Sequence, residues 1–312
     1  AKSELEKVIS SGKYDLIADV STFYHPASAG CKEYVLECVR HYDPSNMYSQ
    51  EGWFGILANW GFGYGFIAGP EASMHYKFNT TSGYSYFNPS KSLYDAFVAE
   101  EGADGYRLNA WIRTWEQVIA MNIAVNTTTN KYASEGYFRL KWLASTDDEF
   151  VGYWCGNQSN TPVIRYADVL LMAAEACLQA GDQAGADEYL GRVRDRARLP
   201  RKSHVTLSDI KLERRLELAM EGMRFQDLKR WGDAPAVLAD KGKKLPTFQI
   251  VPDPNNDLTT AAGIYNARYT TKTTYVDNEK SLAGWTPNRD EWLPFPENEL
   301  EVNSNLKQNP GY

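Results

Sequence analysis

Between residues 161 and 231 apolar positions recur at three- and four-residue intervals, the spacing of one helix face. Val163, Tyr166, Leu170, Ala173, Ala174 and Cys177 make a first stripe that stops at Gly181. Thr161-Pro162 offers an N-cap followed by a proline in the first turn, so the pattern predicts a helix from about 163. Ala186, Leu190 and Val193 make a second stripe, which ends at Pro200. The two stripes fill residues 167–200, 34 positions, the period of a tetratricopeptide helix pair. Ala174, Ala186 and Leu190 fall where that repeat packs small or apolar side chains. Leu170 and Cys177 stand where it often carries Trp and Tyr. One such pair cannot bury its own face and needs neighbours. A third helix is predicted over 207–231.

The rest of the chain is less regular. Leu5, Val8 and Ile9 predict a helix over about 1–11, started by a Ser3/Glu6 capping box and stopped at Ser11-Gly12. Neither a basic leader nor an apolar run precedes it, so this is not a signal peptide. Tyr34–Val39 reads as a strand. Pro89-Ser90 opens a helix with Leu93, Ala96 and Phe97 on one side. Residues 101–160 read as short strands and turns, and the last 80 residues as mostly loop.

The composition adds one feature. Forty-one side chains are aromatic (12 Phe, 9 Trp, 20 Tyr), and many lie in Gly-, Asn- and Ser-rich stretches. Glu51–Phe66 alternates Gly with rings, and helix is disfavoured there because each Gly costs about 1 kcal/mol. A long loop can pack down on its own rings. A flat ring left exposed beside Asn and Ser instead suits a sugar, stacking on its apolar face while polar groups bond the hydroxyls.

Charge and motifs exclude other chemistry. The net charge of −7 does not suit a phosphate-neutralising protein, and no nucleic-acid partner is expected. Residues 190–231 hold twelve Lys/Arg against six Asp/Glu. Arg214, Glu217, Glu221, Arg224, Asp227 and Arg230 are three or four residues apart, however, which predicts pairing within one helix. Gly61-Phe-Gly-Tyr-Gly-Phe66 lacks the third glycine of a dinucleotide loop. Neither GxSxG nor HExxH occurs, and His25, His41, His75 and His204 are scattered. Asp253, Asn255 and Asp257 start like a calcium loop, but Leu258 replaces its glycine and Ile264 its closing Glu. Cys31, Cys38, Cys155 and Cys177 form no CxxC pair. No catalytic residue, metal site or cofactor is expected.

Several long motifs resemble the SusD/RagB family. Thr161-Pro-Val-Ile-Arg-Tyr-Ala-Asp-Val-Leu-Leu-Met-Ala-Ala-Glu-Ala176 resembles its "IRYADVLLMYAEA" helix. Glu213-Arg-Arg-Leu-Glu-Leu-Ala-Met-Glu-Gly-Met-Arg-Phe-Gln-Asp-Leu-Lys-Arg-Trp-Gly232 is similar to its "ERRxELAxEGxRFxDLxRWG". Pro89–Phe97 resembles its "PSxELVDAF" helix, and Leu293–Leu300 with Asn305–Tyr312 resemble its ending.

The resemblance implies a mostly α fold: tetratricopeptide-like helix pairs, long irregular loops and a few short strands. It implies one SusD-like domain over 1–312, with a helical scaffold at 161–231 and a ligand-loop region at about 15–160. Arg214, Glu217, Glu221, Arg224 and Asp227 are implied to be structural. The implied function is non-catalytic capture of oligosaccharides, or of peptides in some branches, at the outer-membrane surface of Bacteroidetes. The partner would be a SusC-like TonB-dependent transporter. A glycoside hydrolase, or a tetratricopeptide adaptor that binds peptides, is the reading from another class. Family chains are normally longer and begin with a lipid-anchored cysteine. Glu4–Tyr14 resembles the second helix of a repeat, so roughly an N-terminal third, with the anchor, is expected to be absent. Site-bearing loops of the family lie between landmarks matched here by Gly12-Lys-Tyr14 and Pro89–Phe97. From composition and that placement, Trp53 and Trp60 are expected as stacking platforms, Tyr64 as a ring that also hydrogen-bonds, and Asn59 as a hydroxyl contact.

Overall fold

A computed structural model of the chain describes residues 1–39, 88–114, 116–117, 131–132, 135–141, 160–257, 259–260, 263, 268–279 and 284–312. Helices among them are α1 (Lys2–Ser10), α2 (Lys91–Glu101), α3 (Tyr106–Trp111), α4 (Tyr166–Gln179), α5 (Gln183–Arg196), α6 (Leu207–Glu217), α7 (Met223–Arg230), α8 (Ala234–Val237) and α9 (Glu297–Val302). The strands are β1 (Tyr34–Cys38), β2 (Ile112–Thr114), β3 (Lys131–Tyr132), β4 (Tyr137–Arg139), β5 (Thr161–Arg165), β6 (Lys244–Pro252) and β7 (Tyr269–Asp277).

The pair α4/α5 forms as its stripes predict. Gly181 takes φ +76°, and the Asp182 side chain accepts from the Gly185 N–H at 3.0 Å to start α5. Leu170, Ala174, Leu190 and Val193 are fully buried in one core. Leu5, Val8 and Ile9 of α1 pack onto that core, and α6 adds Ile210, so the pair finds its neighbours. A second core gathers Val20, Phe23, Phe97, Leu108, Trp111 and Leu216. Helix α6 therefore reaches both.

Several expectations are corrected. Residues 161–165 are strand β5, not the start of a helix, and β5 runs antiparallel to β1 with Cys38 opposite Thr161. Proline is tolerated at a sheet edge, and Val163 and Ile164 suit a strand. Helix α4 starts at Tyr166 behind Arg165. The Ser3/Glu6 box does not form: Ala1 is the N-cap of α1, and Glu6 pairs with Lys2 at 3.2 Å. Residues 207–231 are two helices, since Met220 (φ +64°) and Gly222 (φ +81°) turn the chain between α6 and α7. Residues 101–160 hold helix α3 as well as the strands β2, β3 and β4.

The C-terminal region is not mostly loop. Strands β6 and β7 pair over nine positions, from Lys244↔Asp277 to Pro252↔Tyr269, and β3 adds to β6. Pro246 and Pro252 obscure β6 in the sequence, and adjacent buried Thr247 and Phe248 break its alternation. Thr-rich β7 is almost wholly exposed.

Candidate functional site

Helix α6 presents Glu213 and Glu217 to a cluster of buried charge. Glu217 accepts from Arg107 and Arg165, each at 3.0 Å, and from Arg196. Glu213 accepts from Arg107 at 2.5 Å and Arg194 at 3.1 Å. Glu33 pairs with Arg165 at 2.5 Å and Arg196 at 3.3 Å. Glu101 holds Arg107 at 2.7 Å, while Glu221 holds Arg165 at 2.7 Å and Lys141 at 2.5 Å. Five cations thus meet five carboxylates in the interior, and at its edge Glu100 pairs with Arg194 at 2.6 Å and with Lys202 at 3.2 Å, which keeps the charges balanced.

Balance shapes the ionisation. Burial alone would raise the Glu217 carboxyl, but Arg196, Arg165 and Arg107 outweigh it and hold the group well below the ordinary glutamate range. Burial also works against charge on Glu221, yet Arg165 and Lys141 hold its pKa down. Lys141 is pulled down to about 8, chiefly by burial. Its ammonium sits 3.8 Å from the centre of the Trp111 ring and donates to the carbonyls of Glu217 (3.1 Å) and Ala219 (3.0 Å). Those bonds satisfy carbonyls left without helical partners at the end of α6.

The predicted ladder is therefore a long-range network. Arg214 reaches Asp168 at 2.7 Å and Asp227 at 2.9 Å, in other helices. Only Arg230–Asp227, at 2.9 Å, pairs at helical spacing among the six. Arg224 is half-buried and makes no ion pair among the described residues; burial lowers its pKa. Apart from Glu101, six positions before Arg107, the charged groups that Arg107, Lys141, Arg165, Arg196 and Glu33 meet are 21 to 163 positions away, so no local signal marks them as partners.

This network fastens the frame from which the ring-rich segments leave. Trp53, Asn59, Trp60 and Tyr64 all lie outside the described residues, as do the rings at 76–87. Segment 40–87 leaves after β1 and segment 142–159 returns at Asn160, whose side-chain amide donates to Glu37 at 3.0 Å. Lys141, where 142–159 departs, is locked to α6. The backbone N–H of Lys91, just past the return of 40–87, donates to Glu135 at 2.5 Å, and Tyr94 stacks on Tyr137 with centroids 4.5 Å apart. The departure of 40–87 is thus bonded to the return of 142–159, and its own return is bonded to Glu135.

One cluster has metal-ligand types. Glu6, Cys177 and Asp182 place ligand atoms within 4.8 Å of one another. Lys2 already bridges the two carboxylates, at 3.2 Å and 3.1 Å, and burial pushes the Cys177 thiol up to about 11. A cation there would have to displace the ammonium and ionise a reluctant thiol.

The SusD family profile matches residues 32–312. The chain belongs to the SusD family. It is 31% identical over 170 residues to a SusD-like protein of Bacteroides ovatus, covering 48% of this chain and 29% of that one. It is 32% identical over 194 residues to SusD-like protein P2 of Formosa agariphila, covering 56% and 29%. Among solved structures, a laminarin binding SusD-like protein superposes with a TM-score of 0.66 at 27% identity, over 96% of this chain and 54% of that one. Surface glycan-binding protein A from Bacteroides thetaiotaomicron in complex with laminarihexaose gives 0.66 at 23%, over 98% and 58%. This SusD-family chain thus spans little more than half the length of the solved chains it matches.

Proposed function

We propose that this chain captures oligosaccharides at the cell surface without cleaving them, as the binding part of an import complex with a TonB-dependent transporter. The observation that carries this reading is the superposition, over 96% of the chain at 27% identity, on a protein described as laminarin binding. The carboxylates of the buried network, Glu33, Glu101, Glu213, Glu217 and Glu221, are all bonded to arginines, which suits a scaffold role.

In this reading residues 1–312 act as one unit. Scaffold 161–231 holds the frame, and the region of about 15–160 meets the ligand. Trp53 and Trp60 stack against sugar rings, while Tyr64 and Asn59 bond hydroxyls. Support for these four comes from residue type and from their place in the sequence between Gly12-Lys-Tyr14 and Pro89–Phe97. A polysaccharide affinity-gel panel tests the function: retardation without released reducing ends is expected, and sugar release at enzymic rates overturns it.

A further inference from the structure

Away from the loop roots, α7 and the C-terminal tail build a second surface of rings and cations. Lys229 of α7 places its ammonium 5.3 Å from the centre of the Phe225 ring and 5.6 Å from that of Trp292. No carboxylate lies within 4 Å of Lys229 among the described residues. Trp292 remains 53% exposed and Phe225 38%, so the ammonium leaves much of both rings open.

The backbone that carries the exposed indole is held in place. The Tyr312 hydroxyl donates to the Trp292 carbonyl at 3.1 Å. The Asn309 amide donates to the Leu293 carbonyl at 2.6 Å. Gln308 bonds both the N–H and the carbonyl of Phe295, at 2.8 and 3.0 Å. Tyr312 itself is 45% exposed beneath the Arg289 guanidinium, 4.6 Å from its ring centre. Trp292 and Tyr312 therefore form one strip, each ring with a cation beside it. Rigid aromatic anchors lose little entropy on binding.

We infer that this strip is a binding site for an acidic oligosaccharide, with Trp292 stacking on a sugar ring and Lys229 pairing with its carboxylate. The ligand class rests on the glycan-capture reading, whereas the site is separate from the loops invoked there. A neutral sugar would find the rings but leave Lys229 without a counter-charge. An anionic sugar uses both, and its charge contact strengthens near the low-dielectric ring faces. Arg289, already 3.4 Å from Asp290, gives the weaker second contact.

The test is calorimetric titration of the full chain with oligogalacturonate and with its methyl ester, which keeps the ring and removes the charge. The acid should bind about tenfold or more tightly than the ester, and binding should weaken as salt rises. Trp292→Ala should lower affinity for the acid about tenfold, and Lys229→Gln should erase the preference for acid over ester. Trp292 is exposed and Lys229 is half-buried without an ion pair among the described residues, so melting temperatures should hold, and Lys229→Gln keeps the test open if Trp292→Ala does not. Equal binding of acid and ester, or unchanged affinity in both variants, overturns the inference. Retention of a neutral polysaccharide with no response to oligogalacturonate overturns this site and leaves glycan capture standing. No retention of any glycan overturns both.

Discussion

The carboxylate of Glu217 accepts a hydrogen bond from the guanidinium of Arg165 at 3.0 Å, across 52 positions of sequence. Arg165 ends β5 and leads into α4, while Glu217 ends α6, so a single contact ties strand, helix pair and third helix together. Removing one partner of such a buried pair leaves the others uncompensated. Glu217→Ala should therefore lower stability by about 3–5 kcal/mol in denaturant unfolding. The exposed pair Arg201–Glu188, at 2.6 Å, sets the contrast: Glu188→Ala should cost under about 1 kcal/mol. A Glu217→Ala protein of normal stability that no longer binds glycan would show that Glu217 belongs to the ligand site.

Acid should expose the same network. Folding holds the Glu217 pKa below its ordinary value of 4.5, so its contribution is complete above that pH and fades as the pH falls further. Glu33 and Glu101, pushed up by burial, act in the opposite sense, so the total curve mixes signs. The difference between wild type and Glu217→Gln isolates the residue. That gap in urea midpoint should be constant from pH 7 to about 5 and narrow toward pH 3. A gap that widens on acidification would contradict the assignment.

The break between α6 and α7 gives a test by sign. Gly222 has φ +81°, and nothing lies within 4 Å of where a Cβ would stand. Gly222→Ala should destabilise by about 1–2 kcal/mol through backbone strain alone. In a continuous helix over 207–231 the same change would stabilise by about 1 kcal/mol. Thermal unfolding decides between them.

That break shows where the sequence stops being legible. The α4/α5 pair could be read because its stripes, Gly181 and Asp182 are local signals, and only its start, at Tyr166 rather than Val163, differs from the reading. Arg214, Glu217, Glu221, Arg224 and Asp227 could be picked out as a spaced set of charges, but not the partners that four of them meet. Spacing of three and four residues fits helical pairing equally well, and only tertiary folding brings Asp168, Arg107 and Arg165 to them. Strand β6 was hidden by its two prolines, and β5 by a proline that also suits a helix start. Of the candidate site, the frame is described, while the four chosen ring and amide positions stand on composition.

The ligand residues predict a clean separation of binding from folding. Trp53→Ala and Trp60→Ala should each weaken neutral-glycan binding about tenfold or more, the share of an anchor ring, while the melting temperature hardly moves. Unfolding of both variants would make these rings core.

Glycan capture is tested most directly by titrating the chain with neutral oligosaccharides drawn from the polysaccharide panel, followed by an assay of the same samples for new reducing ends. Saturable binding that Trp53→Ala and Trp60→Ala weaken, with the oligosaccharide recovered at full length, is the predicted result. Full-length recovery without binding across the panel, or binding accompanied by steady chain cleavage, would contradict it.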